Sequence, residues 1–298
     1  MHWEESGNPE GKAAVLLHGG PGGGSSPRHR RLFDPARYRI IQFDQRNCGR
    51  STPSAAEPVV DLSNTTTADL IDDIEALRDH LGVERWLVWG GSWGTTLGLA
   101  YAQAHPTSVS ELVLSAVTST TAGEVEWVTR TMGRIFPEAW AEFVAALPAD
   151  DRDGNLAAAY NRLLLDPDPA IHQPAADAWC AWEDVHVSVA TGPQPGLTIA
   201  EPGFRLCFAR LVTHFWGNAG FLRDGQLLAN AGRLADIPTF LTHGRRDVSG
   251  PADIAVALAA AIPGAELFIA EEEGHGGPAM TAWVVSITDR LSAAEAGR

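Results

Sequence analysis

The sequence predicts an α/β protein with a doubly wound, mostly parallel sheet and an inserted helical cap. Two observations lead to this prediction. Short apolar runs alternate with helical patterns near both ends of the 298-residue chain, and the alternation stops in a long middle stretch that is helical and rich in Trp and Ala. We therefore expect a core of residues 1–117 and 235–298, with a helical cap over residues 118–234.

The first part of the core contains four short apolar runs and two helical patterns. A helix is predicted at Ala68–Leu81, where apolar residues follow the helical period and Gly82 is suited to end it. Another helix follows the tight turn Gly90–Gly94 and ends near His105, because Pro106 cannot continue it. The apolar runs predict strands at Ala13–Leu17, Arg39–Phe43, Trp86–Trp89 and Glu111–Leu114.

The alternation resumes after about Leu234. Strands are predicted at Thr239–Leu241 and Glu266–Ile269, and helices at about Ala252–Ala261 and Ala282–Leu291. A single insertion that splits one doubly wound core accounts for both halves.

The charge of the chain limits its partners. With 37 acidic and 22 basic residues, the formal net charge is −15. Nucleic acids and anionic membrane surfaces need a basic binding surface, so neither is expected as a partner. No apolar run reaches the roughly 18–20 residues that span a bilayer. The segment Met1–Glu5 lacks the features of a secretory signal, and we expect a cytoplasmic protein.

The cysteines indicate neither disulfides nor a metal. Their spacing shows no Cys-x-x-Cys pair and no set of metal ligands, and their odd number suits reduced thiols. We therefore expect no cofactor and no metal. The three residues are Cys48, Cys180 and Cys207.

A nucleophile is predicted at Ser92. The segment Gly90–Gly94 has the pattern Gly-x-Ser-x-Gly, and it lies between a buried strand and a helix. The turn is so tight that the residues two before and two after the serine must be small. Such a turn exposes the hydroxyl at the sheet edge, at the positive end of the helix dipole.

The order of the predicted strands indicates which residues act with the serine as base and acid. A nucleophilic serine needs a base that is oriented by an acid, and in this arrangement they follow in the order Ser, Asp, His, after late strands. Asp247 follows the strand at Thr239–Leu241, and His275 follows the strand at Glu266–Ile269. Asp247 could instead cap the following helix, in which case Asp253 would be the acid.

Acyl transfer also requires donors for an oxyanion. The loop His18–Gly22 follows the first predicted strand, where this arrangement supplies one backbone N–H, and we assign that donor to Gly20. The second donor is the N–H of the residue after the nucleophile, Trp93. A phosphate-binding loop is the rival interpretation, but the loop lacks a Gly-Lys-Ser/Thr ending and Pro21 interrupts the glycines.

Several motifs together resemble the proline iminopeptidases, which are serine aminopeptidases of the α/β-hydrolase fold. The similarity runs nearly end to end, although the chain begins late and is expected to lack most of the family's first strands. In the cap, Trp179–Glu183 and Ala209–Leu222 are similar to the family's substrate-facing helices. The core motifs that carry the resemblance are His18–Gly24, Asp44–Ser51 and Gly90–Thr95.

The resemblance implies release of an N-terminal residue whose α-ammonium group is held by cap carboxylates. Glu183 falls on the family's Trp-x-x-Trp-Glu carboxylate, although on the residues alone it could be the solvated end of a cap helix. Two positions differ from the family. Val212 replaces its second ammonium-binding glutamate, and Ser115 replaces an arginine that usually follows the strand.

The resulting expectation is a metal-independent amidase of the aminopeptidase type, with Glu183 and Val212 in its substrate site. Its substrate would carry a free N-terminal aminoacyl residue, proline or another small one. Because Val212 makes the cap more apolar, a hydrophobic aminoacyl amide from a biosynthetic pathway is expected as readily as a peptide. An esterase or lactonase with the same triad is one alternative, and a non-catalytic binding protein is another. The sequence contains nothing that sets an oligomeric state.

Overall fold

The computed structural model describes residues 1–57, 59–191 and 196–296. Within these residues the chain forms one seven-stranded sheet. The strands are β1 (His2–Gly7), β2 (Lys12–Leu17), β3 (Tyr38–Asp44), β4 (Trp86–Gly91), β5 (Val109–Ser115), β6 (Thr239–Gly244) and β7 (Glu266–Ala270). Their order is β1-β3-β2-β4-β5-β6-β7. The pair β1–β3 is antiparallel, and every other neighbouring pair is parallel.

The same residues contain ten α-helices. Short 3-10 segments connect several of them. The α-helices are α1 (Thr67–His80), α2 (Trp93–Ala104), α3 (Ala122–Thr129), α4 (Pro137–Ala145), α5 (Leu156–Leu164), α6 (Pro169–Val187), α7 (Pro202–Gly217), α8 (Gln226–Ala229), α9 (Asp253–Ala261) and α10 (Pro278–Ala296). None of the described helices is long and apolar enough to cross a membrane.

Helices cover both faces of the sheet, which confirms the predicted fold class. Successive side chains of a strand point to opposite faces, and in β2 both sets are buried. Val15 and Leu17 pack in the apolar cluster that contains α1, α2 and α9 residues. Ala14 and Leu16 pack in a second cluster with residues of α10. Parallel sheets with continuous apolar strands require this burial on both sides.

The predicted core elements are present, and most differ from their expected bounds by only a few residues. The strand β1 was not predicted, because His2–Gly7 shows no apolar alternation. It lies at the edge of the sheet, where Glu5 pairs with Arg39 of the neighbouring strand at 2.8 Å. The last helix is longer than predicted, since it begins at Pro278, a residue favoured in the first turn.

The helices α3–α8 lie in the chain between β5 and β6, within the predicted cap of residues 118–234, which we call the insert. Residues 192–195 of this range lie outside the described residues. The insert has an apolar cluster of its own, centred on stacked aromatic rings. Phe143 stacks on Tyr160 with ring centroids 4.7 Å apart, and Trp182 stacks on the same phenylalanine at 5.4 Å. The division between core and cap at residues 117 and 235 stays a prediction.

Candidate active site

Ser92 occupies the sharp turn between β4 and α2. Its backbone has φ 55° and ψ −124°, a conformation that L residues rarely adopt and that a rigid turn must impose. The flanking glycines leave no room for side chains. A Cβ atom at Gly90 would lie 2.2 Å from the carbonyl oxygen of Gly94, and one at Gly94 would lie 2.1 Å from that of Leu17. The tight turn thus explains the spacing of the motif.

Three predicted residues from distant parts of the chain form one chain of hydrogen bonds. The Oγ of Ser92 lies 2.9 Å from Nε2 of His275, and Nδ1 of His275 lies 2.7 Å from Oδ2 of Asp247. An ionised carboxylate only accepts hydrogen bonds, so Nδ1 carries the imidazole proton and Nε2 accepts from the serine hydroxyl. The alternative acid, Asp253, is exposed at the start of α9.

The loop after β6 keeps Asp247 ionised. Its Oδ1 accepts hydrogen bonds from the backbone N–H groups of Ser249 and Gly250, at 2.9 and 3.1 Å. Burial acts to raise the pKa of this carboxyl, but the charge and hydrogen bond of His275, a contact with His243 and the Gly250 N–H outweigh burial and lower it. A charged Asp247 is what fixes the tautomer of His275.

The pKa of His275 lies above its ordinary value. Burial acts to lower it, but the charge and hydrogen bond of Asp247, together with the charge of Glu183, raise it. These acids stabilise the imidazolium that forms when the histidine accepts a proton. His275 therefore has the properties of a general base for Ser92.

Two free backbone donors flank the serine hydroxyl. Neither the N–H of Gly20 nor that of Trp93 has a hydrogen-bond partner in the part of the chain that the structure describes. The side chain of Gln45 forms hydrogen bonds with both the loop that contains Gly20 and the residue Trp93. It accepts from the indole N–H of Trp93 at 3.0 Å, and its side-chain amide donates to the carbonyl of His18 at 2.9 Å.

A cavity of about 430 Å³ opens onto Ser92, His275 and Gly20. Most of its wall comes from the insert. Its acidic side chains are Glu124, Asp184 and Glu183, and its apolar side chains are Trp93, Val125, Trp127, Val128, Val187, Leu197, Phe208, Trp216 and Pro251.

The three acids of the cavity differ in how fully they are bonded. Glu124 accepts hydrogen bonds from Ser119 and Thr121, and Asp184 accepts from Leu197 and Thr198. These bonds hold loops and helix ends in place. Among the described residues Glu183 accepts one hydrogen bond, so it is the acid of the cavity that is best placed to receive a ligand.

Glu183 is a buried carboxyl, with 5% of the residue exposed. It accepts a hydrogen bond from the indole of Trp179 at 3.2 Å. Burial raises its pKa to about 7, although the positive charge of His275 and the bond from Trp179 act to lower it. A buried acid of this kind becomes charged most readily when a cation lies beside it.

Val212 is not among the residues that line the cavity. It lies between Phe208 and Trp216, one helical turn from each, and both of these residues do line it. Val212 itself is fully buried in the apolar cluster of the insert. Its assignment to the substrate site stays a prediction.

Ser249 and His186 are among the buried polar residues of the cavity that were not predicted. Ser249 follows Asp247 by two residues, and His186 follows Glu183 by three on the same helix. Residues three apart share a helix face, so the spacing from Glu183 is the signal that could have identified the histidine. Across the described residues, no group of three or more His, Cys, Asp or Glu side chains could hold a metal ion.

Comparisons with known proteins bear on the fold and the family of this chain. The family described as "alpha/beta hydrolase fold" matches residues 13–278. A Streptomyces coelicolor protein named "Probable proline iminopeptidase" is 52% identical over 282 residues, which cover 92% of this chain and 86% of that protein. The proline iminopeptidase of Xylella fastidiosa strain Temecula1 is 44% identical over 277 residues, 92% of this chain and 87% of the relative.

Solved structures show the same fold. The crystal structure of the proline iminopeptidase of Mycobacterium smegmatis matches with a TM-score of 0.61 and covers 98% of this chain and 95% of its own. Its sequence is 21% identical, so this likeness bears on the fold alone.

Proposed function

Because this chain belongs to the proline iminopeptidase family of α/β-hydrolases, we propose that Ser92 is the nucleophile of an aminopeptidase, with His275 as its base and Asp247 as the orienting acid. The observation that carries this assignment is the continuous hydrogen-bonded chain from Ser92 to Asp247, with links of 2.9 and 2.7 Å, at the wall of a cavity that also holds a buried carboxyl.

The proposed reaction follows from the positions of these atoms. As Oγ of Ser92 attacks the amide carbon, Nε2 of His275 takes its proton, and the oxyanion accepts from the N–H groups of Gly20 and Trp93. The imidazolium then gives its proton to the departing amine, which leaves an acyl-enzyme. A water molecule, activated by the same imidazole, hydrolyses that ester. Removal of one oxyanion donor typically costs about 10²–10³ in rate.

The proposed substrate carries a free amine, because Glu183 lies buried in the same cavity with room for a cationic partner. A charge-assisted hydrogen bond contributes about 1.5–3 kcal/mol, enough to select an ammonium over a neutral group. We propose proline or another small residue as the acyl part. Phe208 and Trp216, which lie one helical turn on either side of Val212, form an apolar part of the cavity wall. This part suits a hydrophobic leaving amine, in a short peptide or in an aminoacyl-amide intermediate.

We place the enzyme in the cytoplasm as part of the same proposal. Support comes from its cysteines, since Cys48, Cys180 and Cys207 are all unpaired and buried. Unpaired thiols are typical of a reducing compartment.

The assignment of the nucleophile is tested by covalent labelling. We expect a fluorophosphonate to label the protein at one site, and Ser92→Ala to abolish both labelling and turnover of aminoacyl naphthylamides. Circular dichroism provides the control for folding of the variant. Labelling that persists in Ser92→Ala would show that another serine is the nucleophile.

A further inference from the structure

His186 lines the cavity and has a buried polar atom without a hydrogen-bond partner among the described residues. The residue is 2% exposed, and its Nε2 has no hydrogen-bond partner in the described part of the chain. Its distance to Oε2 of Glu183 is 3.5 Å, which is longer than a good N–H···O hydrogen bond. Buried polar atoms are nearly always paired in native proteins, so an unpaired one at a ligand cavity indicates a group that the ligand satisfies.

The other ring nitrogen of His186 has a partner. Nδ1 lies 2.8 Å from Oγ of Ser249, a residue whose own backbone N–H is bonded to Asp247. When Nδ1–H donates to this oxygen, Nε2 carries a lone pair and faces the carboxyl of Glu183. Two acceptors then lie side by side, with no donor between them.

The carboxylates around this pair favour a cation between them. Asp184 lies next to Glu183 in sequence and adds negative charge, and the negative charge of Asp247 acts on His186, whereas a protonated His275 would oppose a cation there. Burial lowers the pKa of His186 to about 3, with the charge of His275 acting in the same direction. His186 is therefore a neutral imidazole at physiological pH, and it does not repel a cation.

We propose that His186 Nε2 is the second acceptor for the α-ammonium group of the substrate, which it holds together with Glu183. An ammonium carries three N–H donors and needs more than one acceptor when it is desolvated. The inference rests on the proposed function, since it assumes a substrate with a free amine. It also explains how the site holds that amine although Val212 offers no acceptor.

The test compares two substitutions that replace the imidazole with an amide. In each variant the amide lies near the position of one of the two ring nitrogens. His186→Gln places an amide atom near Nε2, and His186→Asn places one near Nδ1, within reach of Ser249. For both variants and wild type, kcat/KM is measured with alanyl β-naphthylamide and with propionyl β-naphthylamide, which lacks the amino group. The ratio of the two values reports recognition of the amine alone.

We expect His186→Asn to lower this ratio by roughly tenfold or more, while His186→Gln keeps most of it. The propionyl substrate serves as the control for folding and for the triad, and its kcat/KM should change little in either variant. If His186 only supported Ser249, both substrates would lose activity together and His186→Gln would be the more damaged variant. That result would overturn the proposal.

The variant Glu183→Gln distinguishes a failure of the proposed role of His186 from a failure of the proposed aminopeptidase function. A wild-type enzyme that shows no preference for the alanyl substrate would contradict the proposed function itself. If wild type prefers the amine, and Glu183→Gln loses the preference while His186→Asn keeps it, then only the role of His186 is wrong.

Discussion

Two ionisable side chains of the cavity, His275 and Glu183, influence each other directly. The charge of Glu183 contributes to the raised pKa of His275, and the charge of His275 opposes the raised pKa of Glu183. Burial raises the pKa of the Glu183 carboxyl to about 7, within the range where the histidine must be neutral to act as a base. Binding of the substrate ammonium would favour the charged carboxyl.

This coupling predicts the pH dependence of the reaction. Only neutral His275 accepts the Ser92 proton, so kcat/KM falls as the pH drops through the pKa of the histidine. That pKa is raised, so we expect the acidic limb above the ordinary value of about 6.5. Glu183→Gln removes a charge that raises it, and the limb should move to lower pH. The propionyl substrate is used for the measurement, because it has no amine to titrate.

If the acidic limb of the kcat/KM profile has the same position in Glu183→Gln as in wild type, the electrostatic interaction between Glu183 and His275 is contradicted. Glu124→Gln is a matched control, since Glu124 also lines the cavity but has no part in the shift of His275. We expect the limb of that variant to coincide with the wild-type limb.

Residue types and spacing were sufficient to predict Ser92, Asp247 and His275, because the fold requires each of them at the end of a particular strand. The structure brings all three together, and their catalytic roles await the experiments above. The contact between His186 and Ser249 was not predictable in this way, although the spacing of His186 from Glu183 indicates that the two share a helix face. They approach each other only because α6 of the insert packs beside the loop after β6, and a contact 63 residues apart in the chain leaves no local signal.

At the scale of elements, a single buried arginine connects the insert to the core. Arg210 of α7 is completely buried. Its Nε donates to the carbonyl of Leu164 at the end of α5, at 2.6 Å. One terminal nitrogen donates to the carbonyls of Ala55 and Glu57, in the loop after β3, at 2.8 and 2.6 Å. The guanidinium thus satisfies three carbonyl groups on two parts of the chain.

We expect Arg210→Leu to lower the free energy of unfolding by about 2–4 kcal/mol, because the carbonyls of the buried residues Leu164 and Ala55 lose their charged donor. Urea denaturation followed by fluorescence measures the loss. Arg162→Leu is the control, since its partner is Asp151 and its side chain is 59% exposed. A surface pair contributes about 0–1 kcal/mol. Equal effects of the two substitutions would show that Arg210 is not a structural anchor.

The elements themselves were predictable to different degrees. Six of the seven strands coincide with apolar runs, since both faces of a parallel strand must be apolar. β1 did not show this pattern, because an edge strand contacts one neighbour and exposes much of its surface. The packing of α3–α8 could not be predicted either, since it depends on aromatic contacts between helices that lie far apart in sequence.

At the scale of the whole molecule, the sheet and the insert contribute different residues to the cavity. The sheet holds Ser92, Asp247 and His275 at the ends of three of its strands, while the insert supplies Glu183 and most of the cavity wall. The predicted family, fold and enzyme class are confirmed by relatives that match over most of the chain. If the proposed roles hold, substitutions in the insert should change selectivity more than they change the reaction.

The most direct test of this account is the selectivity of the wild-type enzyme for a free amine. It compares kcat/KM for prolyl or alanyl β-naphthylamide with kcat/KM for the same compounds after N-acetylation. We predict that the free amines are preferred by at least roughly tenfold, the value of one charge-assisted hydrogen bond, and that Ser92→Ala hydrolyses neither. Equal hydrolysis of the free and acetylated compounds would contradict the account, since an esterase or general amidase with the same triad would behave in that way.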